Sequence, residues 1–422
     1  MPQPSTTTAT LPVTSLYAHV PFCQTICGYC DFFSVLTDRK AFGPFVDALL
    51  SELDTFHPVA TEPMQTIFVG GGTPTTLPPA ELRRLLTALR AFPSIDNSGA
   101  GVLARTPDNS GAGVPARTPE DSGAGVPARL LPGPLEFTVE ANPATVSPET
   151  ADVLVSSGVN RVSIGAQSFD PSELRVLDRI HAPPQVAQTV DICRRAGLDN
   201  LNLDLIFAIP GQTLESWVAN LRRAIDLGPD HLSCYALTYE RGTPLFDRLA
   251  EGKITRTDTD LEAEMYEATI EELARAGLAQ YEISNFAKPG RECRHNLVYW
   301  RNLPYFGIGP SASGFVDETR YKNIPDVAEY ARAITAGRQP RVQSERLTLD
   351  ARARETAMLA LRLNEGLRIA EFRARFGTDP LALFADAIAR HTAAGTLEAT
   401  AESLRLTRHG RLLADTVCAD FL

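Results

Sequence analysis

The chain has 422 residues and a formal net charge of −11, a balance that argues against nucleic acid as a partner, since phosphate binding needs a basic face to replace counterions. Its seven cysteines, an odd number with three clustered and four scattered (Cys193, Cys234, Cys293, Cys418), do not form a disulfide framework, and no apolar run approaches a membrane span. The N-terminal residues lack both a basic region followed by an apolar stretch and the arginines of a mitochondrial presequence, so the expected address is the cytoplasm.

In chain order, residues 1–15 read as a disordered N-terminus and Leu16–Val20 as a first strand. A loop follows with Cys23, Cys27 and Cys30 spaced C-x3-C-x2-C. Helical spacing then covers 39–57, 79–91, 147–157, 184–196 and 213–226, alternating with short apolar runs at 66–72, 135–141, 161–167, 201–209 and 231–237. These make six βα-type units across 16–240. Strands apolar on both faces that alternate with helices predict an α/β fold with a parallel sheet, wound by right-handed crossovers into a barrel or a doubly wound sheet. Residues 97–131 interrupt the pattern with a period-twelve repeat built on NSGAGV-x-ARTP, too poor in apolar residues to stack, and read as a disordered insertion.

Beyond Gly242 come a long helix at about 258–276, a strand at 281–287 and a glycine-rich run at 305–315. This extension, 241–344, is expected to cover the barrel mouth. Residues 345–422 are Arg/Ala/Leu-rich and helical, and their last part suggests a hairpin followed by a helix, as in winged-helix domains. In so acidic a chain that domain points to a structural or interaction role rather than DNA binding.

The chemistry-bearing motifs follow strands and so fall on one rim, the C-terminal end of the sheet, where parallel α/β folds build their sites. Three thiolates within eight residues suit a [4Fe–4S] cluster with one iron left open to a non-protein ligand. Zinc would call for a fourth N or S ligand, for which His19 is poorly placed. Gly70-Gly71-Gly72-Thr73-Pro74 offers backbone groups to a ligand without a Cβ in the way, and no Gly-Lys-Ser/Thr follows to make it a phosphate loop. Glu140, Gln167, Arg179 and Asp204 are the groups on this rim that could take ammonium, hydroxyl and carboxylate groups.

These motifs resemble the radical SAM superfamily, and within it the oxygen-independent coproporphyrinogen III oxidase group, most closely its haem-chaperone branch. The resemblance covers nearly all of the chain except the repeat. It implies a partial (β/α)6 barrel in which Cys23, Cys27 and Cys30 bind the cluster. Tyr17, Gly71, Gly72, Thr73, Glu140, Gln167, Arg179 and Asp204 would then surround S-adenosylmethionine. Tyr29 stands where the oxidase has a phenylalanine near a second cofactor molecule.

Two features separate the branches. The oxidase has a further cysteine two residues after the third ligand, where this chain has Phe32, and a longer N-terminal extension than the sixteen residues before Tyr17. His295-Asn-Leu-Val-Tyr299-Trp300 resembles the HNxxYW motif of the chaperones, which implies His295 as an axial haem ligand, Tyr299 and Trp300 as porphyrin packing, and Cys293 as a conceivable second ligand. Ser313 departs from the histidine common in the family and puts any role of that histidine in doubt. The implied function is a haem chaperone that passes haem to an acceptor protein, meeting a membrane only through that acceptor. The alternatives are oxidative decarboxylation of coproporphyrinogen III, against which Phe32 argues, and a degenerate scaffold used only for interaction.

Overall fold

The computed structural model describes residues 11–93 and 133–422. The repeat at 97–131 lies outside the described residues. Six parallel strands form the centre: β1 (Ser15–Val20), β2 (Thr66–Gly71), β3 (Glu136–Ala141), β4 (Arg161–Gln167), β5 (Leu201–Phe207) and β6 (His231–Ala236). They pair in sequence order. Between them run α1 (Phe42–Asp54), α2 (Pro79–Ala91), α3 (Pro148–Ser156), α4 (Pro183–Arg195) and α5 (Leu214–Asp226).

Period-two alternation decides which side chains line the barrel. In β1, Leu16, Ala18 and Val20 are buried in the main hydrophobic core. Tyr17 and His19, between them, turn inward and share a hydrogen bond of 2.9 Å. The helices start where capping chemistry dictates. Ser147 and Thr213 accept backbone N–H groups of Thr150 and Ser216, and Pro148 supplies a preset φ at the first turn of α3.

Past β6, helix α6 (Thr259–Arg275) packs on α5, with the Trp217 indole donating to Thr269 Oγ1 at 2.9 Å. The strand expected at 281–287 shortens to β7 (Asn285–Ala287), antiparallel to β6, because the Glu282 carboxylate accepts from Ser284 N and Asn285 Nδ2 and turns the chain just before it. Within 241–344, Leu245 reaches the cysteine loop at the mouth, its N donating to Gly28 O at 2.8 Å, while two later segments lie elsewhere. Helix α7 (Arg294–Trp300) closes the opposite, N-terminal end of the barrel. There Glu136, the first residue of β3, accepts the backbone N–H groups of Arg294 and His295, each at 3.0 Å, and so anchors the positive end of α7. Strand β8 (Phe306–Ile308), from the glycine-rich run, adds to the free edge of β1 in parallel, with Tyr17 opposite Gly307.

Residues 349–421 hold a second hydrophobic core, with Phe372, Phe376, Phe384 and Phe421 at its centre. Its three-stranded sheet sets Ser403–Leu406 between Leu367–Arg368 and Leu397–Ala399, followed by two short helices. The body also reaches further toward the N-terminus than the sequence pattern suggests: Val13 is buried in the main core and Leu11 packs on Val298 and Leu303.

Candidate cofactor site at the C-terminal rim

The cysteine loop is pinned at both ends. Phe22–Cys23 pairs in parallel with Val35–Leu36, and Thr37 N donates to Cys23 O at 3.0 Å. Its middle rests on a neighbouring loop, where a Cβ on Gly28 would meet Asp178 Oδ2 at 2.3 Å, so a larger residue would have to displace that carboxylate. Gly28 O also accepts from Leu245 N at 2.8 Å.

Cys23, Cys27 and Cys30 are free and partly exposed, and all line one cavity of about 440 Å3. Cys23 Sγ lies 3.6 Å from Thr73 Oγ1, and Arg179 Nη1 donates to Cys27 Sγ at 3.4 Å. Burial pushes the Cys23 and Cys30 thiols up, Cys30 to about 11. A cation in the cavity would reverse that tendency by favouring the thiolates.

Among the described residues, no three metal-ligating side chains converge as a single ion would require. A cubane cluster makes a different demand, because each thiolate takes its own iron and the ligands must surround a volume. Three thiols along the wall of one cavity fit that demand.

The same cavity is lined by Gly71, Gly72, Thr73, Glu140, Gln167, Arg179, Asp204 and Tyr29. Gly71 has φ +106° and a Cβ there would meet the His19 ring at 2.3 Å, while a Cβ on Gly72 would meet Pro21 C at 2.6 Å. The glycine turn is therefore a backbone cradle that no larger residue could form. Gly71 N donates to Glu140 Oε2 at 3.0 Å. Burial, with Asp204 nearby, pushes the Glu140 carboxyl up to about 7. Asp204 is itself raised by burial, and accepts from Asn202 Nδ2 at 2.7 Å and Ser163 Oγ at 3.2 Å. Contrary to the rim pattern, Asp204 stands in the middle of β5 and reaches the cavity from inside the barrel. Arg179 Nη2 donates to Gly165 O at 2.5 Å, beside the register shift that gives Gln167 a φ of +63°.

A second cavity of about 250 Å3 shares Gly71, Glu140 and Phe32 with the first and adds Tyr17, Phe68, His295, Asn296 and Tyr299. Tyr17 belongs to this one. His295 is fully buried and both ring nitrogens are engaged, Nδ1 with Thr66 Oγ1 at 2.8 Å and Nε2 with Tyr299 OH at 2.9 Å. Burial and the nearby Arg161 charge hold the imidazole down at about 3, as a neutral ring. In this arrangement neither nitrogen is free for a metal. Cys293 is likewise fully buried, its thiol pushed up to about 12 by burial, with Sγ 3.7 Å from Glu136 Oε1. Trp300 joins neither cavity; its ring lies 5.2 Å from the Arg362 guanidinium carbon, on the C-terminal domain side. Ser313 lies in a three-stranded sheet whose next strand is Thr319–Asn323, and its carbonyl sits where a Cβ on Gly307 would be.

The rim also holds residues that the motifs did not single out. Asn142 and Thr145 after β3, Ile206 in β5, and Tyr235 near the end of β6 all line the first cavity. The strand-end logic that found Glu140 applies equally to Tyr235, but its residue type carried no chemical signal.

A parallel barrel with three thiols and a glycine cradle on its C-terminal rim is the architecture of radical SAM proteins. Residues 17–224 match the model of the radical SAM superfamily, and residues 347–413 that of the HemN C-terminal domain. The chain is 33% identical to the haem chaperone HemW of Lactococcus lactis over 97% of both chains. To HemW of Escherichia coli it is 34% identical over 98% of this chain and 99% of the relative. It belongs to the HemW family. Coproporphyrinogen III oxidase (HemN) from Escherichia coli shares the fold, with a TM-score of 0.77 over 98% of this chain and 91% of that one, at 22% identity.

Proposed function

We propose that this chain is a cytoplasmic haem chaperone that binds haem and passes it to an acceptor protein, on a barrel that carries a [4Fe–4S] cluster with S-adenosylmethionine. The observation that carries the reading is similarity to haem chaperones along the whole chain, cysteine loop included. That loop continues Cys30-Asp31-Phe32, with Phe32 rather than a fourth thiol.

Cys23, Cys27 and Cys30 would hold the cluster, which when bound supplies an electron to the sulfonium of S-adenosylmethionine. The protein's own part is positioning. The cradle at Gly71–Thr73 and the Glu140 carboxylate would take the ammonium group of the cofactor. Arg179 would meet its carboxylate, and Gln167 and Asp204 its hydroxyl groups. Through its bond to Cys27 Sγ, Arg179 also ties the cofactor pocket to the cysteine loop. For His295 to ligate haem iron, Nε2 must first leave Tyr299, so the HNxxYW motif would work as a ligand only after α7 rearranges.

The test is anaerobic reconstitution followed by parallel assays of haem binding and coproporphyrinogen consumption. We expect a bound Soret spectrum and no turnover, with loss of most cluster iron in the C23A/C27A/C30A variant. Formation of protoporphyrinogen over many turnovers would overturn the chaperone reading in favour of the oxidase.

A further inference from the structure

Large apolar side chains exposed to water are usually scattered singly, and a cluster of them marks a binding face. Twelve are exposed among the described residues, and four of these surround the cluster cavity: Ile26 (40% exposed), Phe32 (68%), Leu36 (61%) and Ile180 (49%). Three of the four line the cavity, and Leu36 is the register partner of Cys23. The cavity thus has two layers. Below lie the polar groups Glu140, Gln167, Arg179 and Asp204; above them is an apolar collar.

One edge of the collar carries charges of both signs, with Asp31 beside Phe32 and Asp38 before Arg39 and Lys40. Arg39 and Lys40 follow Leu36 on the same loop, are exposed, and form no ion pair among the described residues. Pairing of Val35–Leu36 with Phe22–Cys23 keeps this end of the loop beside the opening. In a chain of net charge −11, Arg39 and Lys40 are two adjacent cations with no ion pair among the described residues, available on this loop to the anionic margin of a ligand with a flat apolar body.

We propose that this collar, and not the HNxxYW helix, is the docking face for the porphyrin: the macrocycle lies over the mouth on Ile26, Phe32 and Ile180, and its propionates meet Arg39 and Lys40. The inference rests on the haem-chaperone reading. It accounts for Phe32, whose exposed ring otherwise costs solvation, and for the engagement of both His295 nitrogens at the barrel floor.

The experiment is a Soret titration of the reconstituted full-length protein with haem and with haem dimethyl ester, whose propionates are uncharged. F32S/I180S should weaken haem binding about tenfold, because the macrocycle then covers less apolar surface, while cluster iron content stays at the wild-type level. R39E/K40E, which alters only exposed and unpaired side chains, should weaken haem but leave the ester unaffected, and it decides the matter if the first variant assembles poorly. Unchanged affinity in both variants, with loss of binding in H295A, would overturn the collar and leave the chaperone reading standing. Normal haem binding in both variants with failed delivery to the acceptor would overturn it too, assigning the collar to a protein partner. Absence of haem binding by the wild type would remove the chaperone reading itself, and the collar proposal with it.

Discussion

A single carboxylate shows how the site is tuned. Glu140 is buried beside Asp204, and with one hydrogen bond from Gly71 N its carboxyl rises to about 7. Both acids await a positive charge, which the ammonium of S-adenosylmethionine would bring. With a cation bound, the carboxylate form is favoured and the pKa falls, so binding should release a proton and weaken as pH drops below about 7. E140Q keeps an oxygen for Gly71 N but loses the charge. We expect its cofactor affinity to fall by about tenfold or more, as for loss of a charge-assisted hydrogen bond, with a flatter pH profile and unchanged iron content. Calorimetric titration of anaerobically reconstituted protein at several pH values checks this, and equal affinities would remove Glu140 from the site. Glu140 and Gln167 were legible because they stand at strand ends, and all three, Arg179 included, belong to residue types that bind polar ligands. His295 was legible as a motif but not as a place, since Thr66 and Glu136, which hold it, lie 229 and 159 residues away in sequence.

Among the elements, the six strands and their helices were readable from periodicity because each is set by local alternation and by turn residues at its ends. Tertiary ties were not. Glu52 on α1 is one: buried within the fold, it accepts from Gly309 N at 2.8 Å, Asn323 Nδ2 at 2.7 Å and Tyr330 OH at 2.6 Å. It thereby joins α1 to the loop after β8, to the strand Thr319–Asn323 and to the helix Val327–Thr335. Nothing in the helical pattern of α1 distinguishes this glutamate from a solvated one. Burial outweighs its three donors and raises the carboxyl from 4.5 to about 7. Because the folded value lies above the unfolded one, the contribution to stability is fully present below about 4.5 and is lost as pH rises through about 7. The full change is at most on the order of 3 kcal/mol. E52Q does not titrate, so the difference in melting temperature between wild type and E52Q should shift against the wild type across this window and level off above it. Parallel curves in thermal melts over the same range would show that Glu52 is ionised throughout.

At the scale of the molecule, α7 connects the two cores. Its first turn is fixed to Glu136 and its imidazole to Thr66 on the barrel floor. Its far end is held by the C-terminal domain: Arg375 Nη1 donates to Arg301 O at 2.9 Å and Nη2 to Asn302 O at 2.5 Å, while Asn302, in the left-handed region at φ 49°, donates to Glu355 and Thr356. A cation on the last carbonyls of a helix satisfies groups that have no partner within it. Trp300 beneath Arg362, and Asn364 N bonded to Tyr281 O at 2.9 Å, extend the same junction. The HNxxYW segment is therefore a strut between barrel and C-terminal domain, a role that residue types alone could not reveal. Removing Arg375 should uncouple the two. R375A leaves two carbonyls without their donor, a loss of roughly 1–3 kcal/mol, and should lower the melting temperature by several degrees or split the calorimetric transition into two. Cluster iron should be unaffected, because Cys23, Cys27 and Cys30 sit at the other end of the barrel. A single transition at the wild-type temperature would mean that the domains are held together elsewhere. Loss of iron would mean that the floor helix supports the cluster rim through the second cavity, where His295 and Tyr299 share a wall with Gly71 and Glu140.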